Sequence, residues 1–240
     1  MRLKSIVNFL TLGITLILGL GFVIKFAGPN LLKQYISFGI GDCKDIPILC
    51  MEPEEEIIRP QNPPEDYILA LVPQEFTQMA VSCPKGFSLV QELIKKPFYK
   101  KNRWLDKGAA IYLLRQEPGA FLRLYPELRK QRINDNYEFL QRLTFANLNK
   151  VKNLTDAFFL IMKSVFTPDI GNQLTAKMIR FQMRGKKGFI NYNLLLPDNY
   201  FDCNIIDSRD NFYKVYIKDR GARLDLNKVF AIISTIKPLE

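Results

Sequence analysis

The chain opens on an almost unbroken apolar run from Ile6 to Ala27, preceded by Arg2 and Lys4 and interrupted by Asn8, Thr11, Thr15 and Lys25. Residues 6–24 are apolar on every side, unlike the one-sided stripe of a helix in a soluble core. About 20 apolar residues at 1.5 Å rise span a bilayer's hydrocarbon. The pattern predicts a transmembrane helix and a membrane anchor over residues 1–27. A cleaved signal peptide is the competing reading, and it wants a short apolar region and small residues at the cut. Here the run is long, Phe26 is bulky where a small residue is needed, and Pro29 follows, so an uncleaved signal anchor is favoured. Arg2, Lys4 and the terminal amine slightly outweigh Lys25 and Lys33, which favours a cytoplasmic N-terminus.

Leu31, Leu32, Tyr35 and Ile36 then follow at helical spacing, to lie in the membrane interface or to continue the helix for a turn or two, until Gly39 and Gly41 end it. Residues 42–66 hold five prolines and the acidic run Glu52, Glu54, Glu55 and Glu56. Such a segment reads as a stiff, solvated spacer. The expected organisation is therefore an anchor (1–27), a juxtamembrane segment with a Pro/Glu-rich linker (28–66), and a single folded domain (67–240).

Within that domain the apolar period changes several times. Ile68–Val72 is a short apolar run, Gln78–Ser82 continues toward a turn at Cys83-Pro84-Lys85-Gly86 and Phe87–Gln91 resumes, which reads as two strands and a tight turn, and Ala109–Leu114 reads as a further strand ended by Pro118-Gly119. Residues 120–148 repeat their apolar positions every three or four. Leu154, Ala157, Phe158, Ile161, Met162 and Val165 make a complete helical stripe, with Asn153 placed to cap it. This capping role competes with a glycosylation reading of Asn153-Leu154-Thr155.

The period then drops to two. Ile179, Phe181 and Met183 alternate with Arg180, Gln182 and Arg184; after Gly185–Gly188 the alternation resumes at Ile190, Tyr192 and Leu194, then at Phe201, Cys203 and Ile205, then at Tyr213, Val215 and Ile217. This predicts about four antiparallel strands in a meander. Asp225 would cap a last helix whose Leu226, Val229, Phe230, Ile233 and Ile236 cover the sheet. The fold class is α+β: an antiparallel sheet packed against helices, behind an N-terminal transmembrane helix.

Composition adds exclusions. The 240 residues contain no histidine, which removes Ser-His-Asp and Cys-His catalysis and imidazole-based zinc sites. No stretch carries a cofactor motif or the signature of a family with a known activity, so no catalytic residue, metal ligand or cofactor is assigned. The net charge of +10 favours anionic partners such as lipid headgroups or acidic glycans, with bases grouped around Lys95–Lys107, Arg129–Arg132 and Arg180–Lys187. Phe98–Trp104 mixes aromatics with bases and reads as a solvated loop held by one Trp.

The four cysteines, Cys43, Cys50, Cys83 and Cys203, are spaced for neither a zinc ribbon nor a CxxC pair. In an exported chain they are candidate disulfide cysteines, with Cys43 and Cys50 closing a short loop, and Cys83 and Cys203 meeting across a sheet. Four free thiols would instead suit a cytoplasmic domain.

The candidate binding surface is the polar face of the meander. Alternation puts Arg180, Gln182 and Arg184 on one side of a strand, with Asn191 and Asn193, and with Asp202 and Asn204 where register allows. Guanidinium and amide groups on a rigid sheet suit carboxylate, phosphate or sugar recognition. Helices from 120–166 covering that face would require buried partners for each polar group.

These features predict a single-pass protein of a bacterial inner membrane with an extracytoplasmic domain. That domain would be a non-enzymatic binding or accessory module for a partner protein or an anionic envelope component. Two alternatives remain open: an envelope hydrolase using Asp207, Asp210, Asp219 or Asp225, and a cytoplasm-facing domain that binds anionic lipid or nucleic acid. An extracytoplasmic position disfavours nucleic acid.

Overall fold

The computed structural model describes residues 28–58, 71–75, 79–85, 88–92, 101–106, 109–167, 175–194, 198–221 and 223–239. The apolar segment 6–27 lies outside them. Among the described residues, no helix is long and apolar enough to cross a membrane. The protein is α+β, a mixed sheet packed against helices, and it divides into two compact units.

The first unit holds the chain up to Cys50 together with Ala146–Phe166. Helix α1 (Gly28–Gly39) buries Ile36 in a small core with Leu49, Leu148, Val151, Ala157 and Leu160. Short 3-10 turns at Pro47–Leu49 and Leu148–Lys150 supply part of that core. A later helix, Leu154–Phe166, supplies Ala157 and Leu160. Its start is a reciprocal cap: the Asp156 amide donates to Asn153 Oδ1 at 2.9 Å, and the Lys152 amide donates to the Asp156 carboxylate at 2.9 Å. Asn153 is thus the predicted cap. A disulfide joins Cys43 to Cys50. The Asn147 side chain donates to the Cys50 carbonyl at 3.0 Å, tying this loop to the segment before the helix. Residues 28–50, expected as juxtamembrane helix and linker, are therefore a packed partner of 146–166.

The second unit contains both sheets. The larger has eight strands: β1 (Glu55–Ile58), β4 (Ser88–Glu92), β5 (Lys101–Asp106), β6 (Ala109–Gln116), β7 (Lys177–Met183), β8 (Lys186–Leu194), β9 (Asp198–Asp207) and β10 (Phe212–Arg220). Their order is β1-β7-β8-β9-β10-β6-β5-β4. All neighbours are antiparallel except β1, which runs parallel to β7 with Ile57 opposite Phe181. β1 lies inside the expected spacer. Ile57 packs against the core of this unit, and Glu56 reaches Arg180 at 3.4 Å. Lys101–Trp104, expected in a loop, lies in β5, where Arg103 sits opposite Tyr112.

The meander β7–β10 follows the expected alternation. The first turn is tighter than the sequence suggests: Arg184-Gly185 makes it, with Gly185 at φ +70°, and Lys186–Gly188 already belong to β8. Gly188 is required there because a Cβ would strike the backbone carbonyl of Asn204.

One face of the sheet is apolar. Ile179, Phe181, Ile190, Phe201, Cys203, Ile205, Val215 and Ile217 pack with the last helix, Leu226–Thr235. The Asp225 side chain accepts from the Lys228 amide and starts this helix. Phe230 meets Phe181 edge-on at 5.5 Å. The helix is buried on its other side too, against the small sheet of β2 (Leu71–Glu75), β3 (Met79–Pro84) and β11 (Lys237–Pro238). The Thr235 hydroxyl accepts from the Ser82 amide at 2.8 Å.

The opposite face is covered at one end by α2 (Ala120–Leu124) and α3 (Asn136–Phe145). Phe121 stacks on Phe139 at 4.3 Å and meets Phe212 at 5.1 Å, while Tyr137 and Phe145 flank Phe189. Asn136 fixes these helices to the β9–β10 turn. Its side chain donates to the carbonyls of Glu117 and Asp210 and accepts from the Phe121 amide. The Asp210 carboxylate in turn accepts from the amides of Asn136 and Gly119.

Candidate functional site

Register decides what the polar face becomes. Arg180 sits opposite Phe189, Met178 opposite Asn191, and Asn191 opposite Asp202. The five residues expected to form one surface therefore separate into groups. Arg180 is half-buried and donates to the Tyr137 hydroxyl at 3.1 Å, so the α3 aromatics occupy the space beside it. Gln182 and Arg184 are exposed at the hairpin end. Asn191 and Asn193 are buried, and Asn193 Oδ1 accepts from the Thr175 hydroxyl at 3.0 Å. Phe189, between Arg180 and Asn191 on this face, carries the aromatic packing that separates them.

Asn191 instead joins a buried polar cluster. Asp202 is 1% exposed, and Lys214 Nζ lies 2.9 Å from its Oδ1. Lys214 also donates to Asn204 at 3.3 Å, and Asn204 approaches Asp202 Oδ2 at 3.5 Å. Burial raises the Asp202 carboxyl above the usual carboxylate range, and the Lys214 ammonium pulls the other way. Asn191, 4% exposed, makes no hydrogen bond through either amide atom. Tyr112 and Tyr216 continue this face with ring centres 5.8 Å apart.

A second feature lies at the hairpin end of the unit, where a pocket is lined by Gly185, Lys186, Asp207, Ser208, Arg209, Ile236, Lys237 and Pro238. Three bases meet one acid there. The acid is already engaged: Asp207 Oδ1 accepts from the amides of Arg209 and Asn211, and Oδ2 accepts from Asn211 Nδ2 and the Tyr213 hydroxyl. Lys186 donates to the Ser234 carbonyl at 3.0 Å at the end of the last helix, and burial lowers its pKa against the pull of Asp207. The pocket is cationic, rigid on its Lys186 and Asp207 walls, and suited to a phosphate or carboxylate.

Sequence reading missed this pocket because its bases come from three separate turns and strands. Lys186 was within a recognised basic group, but Arg209 and Lys237 carried no signal of proximity. Lys214 was legible in principle, since hairpin register about the turn at 207–211 puts it opposite Asn204.

The cysteines divide. Cys43 and Cys50 are bonded, whereas Cys83 and Cys203 are free and buried. Cys83 belongs to the small sheet and Cys203 to the large one, and the last helix packs against both, so they do not meet across one sheet as expected. Burial pushes both thiols up, away from the reactive thiolate. The acids of the hydrolase alternative do local structural work: Asp207 and Asp210 bind turn amides, Asp219 Oδ2 accepts from the Leu224 amide at 2.6 Å, and Asp225 caps a helix. Among the described residues, no group of three or more Cys, Asp or Glu side chains is placed to hold a metal ion.

Comparison with known proteins adds no assignment: no family model matches the chain, and no curated protein is significantly similar to it.

Proposed function

We propose that this protein is a membrane-anchored, extracytoplasmic binding module of a bacterial inner membrane that takes an anionic envelope component in the pocket of Lys186, Arg209 and Lys237. The observation that carries this reading is the pocket itself, lined by Lys186, Arg209 and Lys237 together with Asp207, whose carboxylate already accepts four hydrogen bonds. The apolar run Ile6–Ala27 supports the anchor. The Cys43–Cys50 disulfide supports an oxidising compartment.

The test is binding by the full chain in nanodiscs of zwitterionic lipid. Polyphosphate serves as the phosphate probe and polygalacturonate as the carboxylate probe. Arg209→Gln with Lys237→Gln is expected to weaken the preferred probe about tenfold and to flatten its salt dependence, since each lost cation removes one charge contact. Lys186 is left in place because it anchors to Ser234. Equal binding by variant and parent would remove the pocket from the reading.

A further inference from the structure

We infer that α1 rests in the membrane interface, with Leu31, Tyr35 and Phe38 seated among lipid headgroups and upper acyl chains. The inference rests on the reading of Ile6–Ala27 as an anchor, and it adds a second, surface-lying contact made by the folded part.

The helix is apolar on two sides. At about 100° per residue, Leu31, Tyr35 and Phe38 fall within about 60° of one another, while Leu32 and Ile36 lie about 120° further round. The second stripe is accounted for: Ile36 is buried and Leu32 packs against the core of the first unit. The first stripe is not, with Leu31 58%, Tyr35 77% and Phe38 94% exposed. The remaining arc carries Asn30, Lys33, Gln34 and Ser37. A soluble surface gains nothing from three large apolar side chains in register, whereas an interfacial helix needs such a face.

The helix cannot roll to hide them. Lys33 Nζ donates to the Asn149 carbonyl at 2.7 Å, and Ile36, about 60° from it round the helix, is held in the core, so both fasten the side away from the stripe. The stripe is thus presented in a fixed direction.

Chain continuity selects lipid as the occupant. The apolar segment ends at Ala27 and the described part of α1 runs from Gly28, so no spacer stands between them in the sequence. Pro29 has no N–H to give a helix arriving from the N-terminal side, which favours a new helix direction at this point. A Tyr and a Phe at that depth match the aromatic belt of membrane proteins.

The test places a tryptophan at the tip of the stripe, Phe38→Trp, in the full chain reconstituted in vesicles. Its emission is read as the difference from the parent. Lipid brominated high on the acyl chain is expected to quench it about twofold, and acrylamide in the water to quench it little. Acrylamide quenching without bromolipid quenching, in a chain that still resists carbonate extraction, would overturn the interfacial helix and leave the anchor standing. Shielding from both quenchers would overturn it in favour of a protein covering the stripe. Release of the chain by carbonate would remove the anchor, and this inference with it.

Discussion

Asn191 lies directly opposite Asp202 on the β8–β9 ladder, and only one of the two has found a partner. Asp202 is held by Lys214 at 2.9 Å, while the Asn191 amide is buried and unbonded. An unpaired amide in the interior costs about 1–3 kcal/mol, so polar identity at 191 works against stability. Asn191→Leu, which keeps the branched side-chain skeleton without its polar atoms, is expected to raise the unfolding free energy by about 1–2 kcal/mol in a urea titration. Destabilisation by this change would mean that the amide has a bound partner.

Asp202 makes stability depend on pH. Its folded pKa lies above the unfolded value because burial outweighs Lys214. The folded state therefore holds the extra proton in a window that opens near the ordinary carboxylate range and closes at the raised value. Stability is greatest below that window and falls as pH rises through it. Asp202→Asn should reduce this slope in denaturant titrations run across the acidic to neutral range. Lys214→Met should do the opposite, leaving a buried carboxylate uncompensated and lowering stability at neutral pH by about 3–5 kcal/mol. The loss should shrink in acid, where Asp202 is neutral.

Gly188 is held by contact rather than by its torsion angles. A side chain there meets the Asn204 carbonyl on the neighbouring strand. Gly188→Ala is expected to cost more than about 2 kcal/mol. Hydrogen exchange should show the loss in the amides of β8 and β9 first. Unchanged protection would show that the two strands separate easily.

The Cys43–Cys50 bridge closes a short loop against the Asn147 side chain. Cys43→Ser with Cys50→Ser should cost about 2–3 kcal/mol in the first unit by releasing that loop in the unfolded state. Protease treatment of intact spheroplasts should remove a C-terminal tag. A protected tag, cut only after lysis, would place the domain in the cytoplasm and redirect the basic pocket to a cytoplasmic anion.

Local elements were legible where a short-range rule governed them. The helix at 154–166 follows from its apolar spacing and Asn153, but the expected stripe does not face the core: Leu154, Ile161 and Val165 are exposed, and Ala157 is buried with Phe159 and Leu160 instead; the last helix follows from Asp225. The meander follows from alternation alone. β1 was hidden because Glu55–Ile58 has too few residues to show a period, amid proline and glutamate. β5 was hidden because Lys101–Asp106 is mostly polar and becomes a strand by pairing with β4 and β6. The proposed polar surface had correct alternation and incomplete fate: Arg180 and Asn191 share a face, but Phe189 and the α3 aromatics part them.

The sequence by itself determined the chain's apolar N-terminal segment, its α+β class, the strands of the meander and the helix caps Asn153 and Asp225. Each depends on residues a few positions apart. Tertiary structure alone decided that β10 lies beside β6, that β1 joins as a parallel edge, that Asp202 is buried with Lys214, and that Lys186, Arg209 and Lys237 face one pocket. These outcomes depend on strand order and on which element covers each face. Those are set by the packing of distant apolar surfaces, and no local period records them.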